Sequence, residues 1–232
     1  MIQLRKAADR GHANHGWLDS WHSFSFADYF DPAFMSFSAL RVINEDRIAP
    51  GAGFPTHSHR DMEIITYMLQ GALEHKDSMG NGSVIRPGDV QRMSAGKGVS
   101  HSEFNASDSE EAHLLQIWIE PEKQGIEPGY EQKNFPNSEK SSRFRLLASP
   151  DGDAGSVTIH QDTRLYATLL NGREEVRFTP LNGRRLYLHL ARGQLELNGI
   201  KLDQGDAASI IDENIHLLGL AAGSEALLFD LP

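Results

Sequence analysis

Two short stretches of this chain hold side chains that can bind a metal ion. In GFPTHSHRDMEIITYMLQG, which runs from Gly53 to Gly71, His57 and His59 stand one residue apart just ahead of an apolar, β-branched run. Residues i and i+2 of a strand point to the same face, so both imidazoles can reach one ion. A single such pair is a weak signal, because eleven histidines in 232 residues produce H-x-H by chance. The second stretch, GKGVSHSEFN (Gly96 to Asn105), carries the argument further, since His101 and Glu103 have the same spacing. Imidazole and carboxylate together suit Fe(II), Mn(II), Ni(II), Cu(II) or Zn(II). Two same-face pairs on neighbouring strands of a barrel would converge on one interior point. Four protein ligands would leave one or two positions open on an octahedral ion, as a catalytic metal requires.

The rest of the composition narrows the chemistry. There are no cysteines, so a metal must be held by His and carboxylate, without thiolates. The net charge is −10, with no basic cluster beyond Arg184-Arg185, which argues against direct nucleic-acid binding. No run approaches the roughly 18 apolar residues of a membrane-spanning helix. The first fifteen residues lack the apolar core of a secretory signal, and a cytoplasmic location is expected. No G-x-S-x-G elbow, P-loop or dinucleotide fingerprint is present.

The elements that must position these residues read as strands. Short apolar or alternating runs at 37–43, 63–69, 71–75, 84–87, 90–93, 112–119, 156–161, 165–170, 185–190, 194–197 and 226–231 are separated by Gly, Pro, Asn and Asp. That pattern predicts an all-β sandwich or barrel protein. Gly51, Gly53, Gly96 and Gly98 are expected to turn the backbone sharply where strands enter the site. The text also repeats: TYMLQGALEHKD (Thr66 to Asp77) is echoed by YLHLARGQLELNG (Tyr187 to Gly199), each followed by a Gly-Asp, at Gly88-Asp89 and Gly205-Asp206. Two copies of one β unit follow, with an N-terminal metal-binding barrel at 1–120, a proline-interrupted connection at 121–155 and a C-terminal barrel at 156–232. Aligning the halves on Gly71 and Gly193 puts Thr179 and Leu181 where His57 and His59 would be. Aligning on Asp89 and Asp206 puts Leu218 and Leu220 at His101 and Glu103. The C-terminal barrel is therefore expected to be metal-free, with His189 and His216 as isolated histidines.

The spacings Gly51-x5-His57-x-His59-x3-Glu63 and Gly98-x2-His101-x3-Asn105 resemble the two signature motifs of the cupins. The stretches GWLDSWHSFSFADYFDP (Gly16 to Pro32), HKDSMGN (His75 to Asn81), MSAGKGVSHSEFN (Met93 to Asn105) and LLQIWIEP (Leu114 to Pro121) resemble the pirin family of bicupins, and are very close to its bacterial members described as quercetin 2,3-dioxygenases. The resemblance implies two tandem jelly-roll-type barrels. It implies metal ligands at His57, His59, His101 and Glu103, and one divalent transition metal per chain. Iron heads the candidates, with Zn, Mn, Cu, Ni and Co as alternatives. The implied reaction is dioxygenation of a flavonol such as quercetin, opening the heterocyclic ring with loss of CO, with Glu103 also serving as base. The partners implied are a flavonol-like aromatic molecule and O2. Pirins are also described as metal-dependent cofactors of transcription regulators and metabolic enzymes, so a regulatory protein partner is the alternative. In cupins at large the glutamate of the first motif is usually the ligand, one residue beyond Glu63. Glu63 shares strand parity with His57 and His59, and its other reading is a carboxylate hydrogen-bonded beside the site.

Other residues read more simply. His12, His15, Trp17, Trp21 and His22 form an arm expected to pack across the barrel or to border its cavity. Trp118, on one strand face with Gln116, is expected in the core. His75 has no obvious pair.

Overall fold

The structure is a computed structural model describing residues 1–232. It is built almost wholly of β-strands; the regular exceptions are one turn of helix at Asn137–Lys140 and two 3-10 turns at Ala7–Asp9 and Asp153–Gly155. No helix is long and apolar enough to cross a membrane. The chain divides into two compact units. One comprises Gly11–Asn134 with Val157–Gln161. The other comprises Met1–Arg10, Phe135–Ser156 and Asp162–Pro232.

The first unit holds two antiparallel sheets. The smaller is ordered Gly53–His59, Val99–Asn105, Leu73–Asp77, Gly82–Ile85. The larger is ordered Gly129–Asn134, Asp89–Ser94, Glu63–Gln70, Ala112–Ile119, Leu40–Ile48, Leu18–His22, Gly11–Asn14. In Val99–Asn105 the residues Val99, His101, Glu103 and Asn105 are buried while Ser100, Ser102 and Phe104 are not, so the period-2 pattern points the metal-type side chains inward. Glu63–Gln70 is buried on both faces up to Leu69, which fits its run of Ile, Ile, Thr, Tyr, Met and Leu. Apolar packing inside this unit centres on Ile48, Met68, Leu73, Ile85 and Leu114 at one end and on Ile64, Met93 and Val99 at the other.

The second unit repeats the arrangement. Its smaller sheet is ordered Glu175–Phe178, Ile215–Gly219, Gln194–Leu197, Ile200–Asp203. In its larger sheet Ala207–Ile211, Arg185–Arg192, Ser224–Leu231 and Arg164–Leu170 take the places of Asp89–Ser94, Glu63–Gln70, Ala112–Ile119 and Leu40–Ile48. The duplication expected from the repeated text is therefore a duplication of strand order. Its leucine-rich core runs through Leu188, Leu195, Leu197, Leu217 and Leu228.

The units do not follow the stretches 1–120, 121–155 and 156–232. Ile2–Arg5 pairs with Ala207–Ile211, so the first ten residues belong with the C-terminal unit. Gly129–Asn134, inside the expected connection, pairs with Asp89–Ser94 and closes the same edge of the N-terminal unit. Strand pairing joins backbones regardless of their separation in sequence, and no local pattern in IQLR or GYEQKN names its partner.

Candidate metal centre

Gly53–His59 and Val99–Asn105 lie side by side, antiparallel, with His101 opposite His57 and Val99 opposite His59. Past His101 the register slips, so Phe54 rather than Pro55 faces Glu103. Proline has no N–H for the ladder, and such a bulge re-aims the side chains beside it. The Pro55 carbonyl accepts a hydrogen bond from His57 Nδ1 at 2.8 Å. That bond fixes the tautomer and leaves His57 Nε2 as a lone-pair donor. Gly53 is required by close approach and not by a turn: a Cβ there would lie 2.3 Å from the Glu103 carbonyl oxygen and 2.5 Å from Phe104 Cα. Gly51, Gly96 and Gly98 do take positive φ, as expected of the turns around the site.

The rings of His57, His59 and His101 sit 4.5 to 4.9 Å apart, centroid to centroid. His101 is buried, and its Nε2 has no hydrogen-bond partner in the protein. Its Nδ1 faces His75 Nδ1 at 3.4 Å, and His75 Nε2 faces the Asp77 carboxylate at 3.2 Å. A carboxylate can only accept, so His75 donates from Nε2 and accepts at Nδ1. His101 must then carry its proton on Nδ1, which leaves Nε2 bare as a lone-pair donor. Burial works against an ionised Asp77, but hydrogen bonds from Asn81, His75 and Met79 outweigh it and hold its pKa below the usual carboxylate range. His75-x-Asp77 repeats the two-residue spacing of the other pairs; that same rule would have found it in the sequence.

Burial, then the neighbouring imidazoles, depress His101 to about 3; burial and His57 depress His59 to about 4. Both are neutral, with lone pairs available, throughout the physiological range. Glu103 is buried beside them and accepts hydrogen bonds from Gln116 Nε2 at 3.0 and 3.3 Å. Thr66 Oγ1 donates to Gln116 Oε1 at 3.0 Å, which aims the amide nitrogen at the carboxylate. Burial pushes Glu103 up to about 7, partly offset by Gln116 and reinforced by the charge of Asp46. The donor atoms of His57, His59 and His101 lie within 4.8 Å of one another, as do those of His75, His101 and Glu103. An orphaned imidazole nitrogen, neutral histidines and a buried carboxylate are a donor set that fits a divalent first-row cation.

This electrostatics has a measurable consequence. Only the deprotonated form of each group binds a cation. The two depressed histidines are already in that form, whereas Glu103, raised, holds a proton below about 7. Apparent affinity for Ni(II), titrated competitively at pH 5 to 8, should rise about tenfold per pH unit up to about pH 7 and level off above it. One proton should be released per ion at pH 6. A flat profile over that range would show that Glu103 is not displaced from its proton.

The centre opens into a cavity of about 770 Å³. Its walls include Trp17, Phe26, Phe54 and Trp118, with His57, His59 and Glu103 also lining it. Trp118 is expected from sequence to be core; instead its half-buried ring stands 5.0 Å from His59 and 5.3 Å from Phe26, on the cavity wall. The N-terminal arm borders the cavity through His12, His15, Trp17 and His22, while Trp21 stacks on His12 at 4.1 Å. Glu63 goes elsewhere. The strand carrying His57 and His59 ends at His59 and a new one starts at Glu63, with Asp61 between them at positive φ, so strand parity does not carry across. Ile64 and Thr66 of the new strand face inward, and Glu63 faces the opposite side, where Ser94 Oγ donates to it at 2.9 Å and His160 Nδ1 approaches at 3.3 Å.

Comparison with known proteins follows this division. Residues 3–119 match the Pirin family, and residues 146–231 match the quercetinase C-terminal cupin domain. The chain is 51% identical to the quercetin 2,3-dioxygenase of Escherichia coli (strain K12), over 100% of this chain and 99% of that protein. The chain belongs to the pirin family. Another pirin relative, the pirin-like protein of Caulobacter vibrioides, is 43% identical over 97% of this chain and 98% of its own. The crystal structure of the bacterial pirin YhhW from Escherichia coli in complex with nickel(II) superposes with a TM-score of 0.95 at 51% identity, covering 100% of this chain and 99% of that one. This pirin is thus an all-β bicupin.

Its two cupin units differ sharply inside. His75 lies opposite Glu103, and the equivalent Leu197 lies opposite Leu217. Gln116 lies opposite Thr66, and the equivalent Leu228 lies opposite Leu188. Leucine therefore stands at four positions where the N-terminal unit of this pirin has His, Glu, Gln and Thr. The register also corrects the sequence alignment: Ile215 and Leu217, not Leu218 and Leu220, occupy the places of His101 and Glu103. The connection after Asp206 is shorter than that after Asp89, a difference an alignment on Asp alone cannot absorb.

Proposed function

We propose that this pirin is a metal-dependent dioxygenase that opens the heterocyclic ring of flavonols such as quercetin, releasing CO. The observation that carries this reading is an aromatic-walled cavity lined by His57, His59 and Glu103, with the buried His101 shared between the His57–His59 group and the group that holds Glu103. Similarity to a quercetin 2,3-dioxygenase and to a nickel-bound relative supports it. One divalent ion per chain, Fe(II) first among the candidates, would be held by His57, His59, His101 and Glu103. Bound there, it would supply Lewis acidity toward the flavonol 3-hydroxyl and open positions for substrate and O2. The C-terminal unit, with leucines at the corresponding interior positions, would carry none.

The chain's own residues then have defined tasks. Trp118, Phe26 and Phe54 offer flat apolar surface to the fused rings. Glu103, buried at the cavity wall and deprotonated by metal binding, accepts the 3-hydroxyl proton. Gln116 and Thr66 keep its carboxylate aimed inward. His75 and Asp77 keep His101 in the tautomer that presents Nε2. The substrate supplies all four electrons taken up by O2, with carbon 3 leaving as CO, so no external reductant enters.

The test is to load the protein separately with Fe(II), Mn(II), Ni(II), Cu(II) and Co(II) and add quercetin under air. At least one form should bleach the flavonol absorbance and release CO. Anaerobic binding without aerobic bleaching across all five ions would sink the dioxygenase reading. A metal-dependent complex with a regulatory protein, indifferent to flavonol, would then take its place.

A further inference from the structure

The cavity has a second polar region, on other strands than those that carry the histidine cluster. Leu18–His22 pairs with Leu40–Ile48 so that Ser20 faces Asp46 and His22 faces Asn44. All four side chains are buried, between 2 and 4% exposed, and all four line the cavity. Ser20 Oγ donates to Asp46 Oδ1, and His22 Nδ1 donates to Asn44 Oδ1 at 2.8 Å. Those bonds use one oxygen of each acceptor. The other Asp46 oxygen and the Asn44 amide nitrogen are left over from these bonds, and both residues line the same cavity. Both residues are buried from the outer surface yet border the cavity, so these two atoms are available to whatever occupies it. An acceptor beside a donor matches a hydroxyl group, which both gives and takes a hydrogen bond. Gln116, opposite Asn44 in the adjacent strand, hydrogen-bonds to Glu103 and stands between the two regions.

We propose that Asp46 and Asn44, braced by Ser20 and His22, form a subsite that binds a ring hydroxyl of the substrate remote from its metal-directed oxygen. The inference rests on the flavonol reading and sharpens it. The preferred ligands are polyhydroxylated aromatics carrying an O–H at the end opposite the chelating group. Flat aromatics with the chelating group alone should bind less well.

Two flavonols separate these cases. Quercetin carries hydroxyls on both outer rings, and 3-hydroxyflavone keeps only the metal-directed one. Dissociation constants would be measured anaerobically on the Ni(II)-loaded protein at pH 8, from the shift in flavonol absorbance, so that turnover plays no part. The wild type should prefer quercetin by about 10- to 100-fold, the worth of a hydrogen bond to a charged group. Asp46→Leu and Asn44→Leu should weaken quercetin by that factor, bring the ratio near one, and leave 3-hydroxyflavone within about twofold. Metal content and thermal melting report whether each variant folds. Should the leucine variants misfold, Asp46→Asn and Ser20→Ala keep the shape of the wall and should still shift the ratio in the same direction. An unchanged ratio in folded, metal-loaded variants overturns the subsite, and the wall is then met only by water. A wild type that binds both flavonols equally overturns the subsite alone. One that binds neither overturns the flavonol reading and the subsite's ligand with it.

Discussion

Replacing both His57 and His59 with alanine should leave the protein with no bound metal, where the wild type should hold about one ion per chain. The two imidazoles stand on the edge strand of the smaller sheet and are only half buried. Their removal therefore opens no core cavity, and melting of the metal-free protein should move little. What disappears is two of the three imidazoles of the group that includes His101. His101 and Glu103 keep His75 beside them, but its two ring nitrogens are taken up by His101 and Asp77, and the two remaining ligands are too sparse a set for a first-row ion, because sites of this kind need three or four protein ligands. Metal analysis of the purified variant decides the matter. Full retention of metal would place the centre elsewhere. A wild-type stoichiometry near two would reveal a site in the C-terminal unit that its leucines argue against.

The second large effect separates two glutamates. Glu103→Gln removes the carboxylate grouped with His75 and His101, while leaving its neighbours Gln116 and Thr66 in place. Turnover of quercetin should fall by about 100-fold or more, the range expected when a proton-accepting group is lost, and metal affinity should fall with it. Glu63→Gln should leave metal content and turnover within about twofold. Its carboxylate faces away from the cavity, held by Ser94 and His160, so the cost is one of stability, about 1 kcal/mol, read as a lower melting temperature. The opposite outcome, metal lost from Glu63→Gln and kept by Glu103→Gln, would transfer the carboxylate role to the first motif.

Much of this centre was legible in the sequence because strand geometry is local. Residues two apart share a face whatever the rest of the chain does, so His57 with His59, and His101 with Glu103, could be paired on spacing alone. The same rule covers His75 and Asp77. It fails for Glu63 because a left-handed residue, Asp61, interrupts the strand and resets the alternation. The strand-rich text and its repeat likewise announced two β units, since alternation, turn glycines and Gly-Asp corners are encoded within a few residues.

Only the tertiary structure decided which distant segments meet. Nothing in IQLR says that it closes the C-terminal sheet, nor in GYEQKN that it closes the N-terminal one, because an edge strand is chosen by backbone groups left unpaired far along the chain. The course of Trp118 and the N-terminal arm along the cavity, and the meeting of Ser20 with Asp46 and His22 with Asn44, depend on the register between strands. A one-residue slip would turn each of these side chains to the other face. Spacing along a strand picked out the candidate donors; register between strands specified the cavity that His57, His59 and Glu103 line.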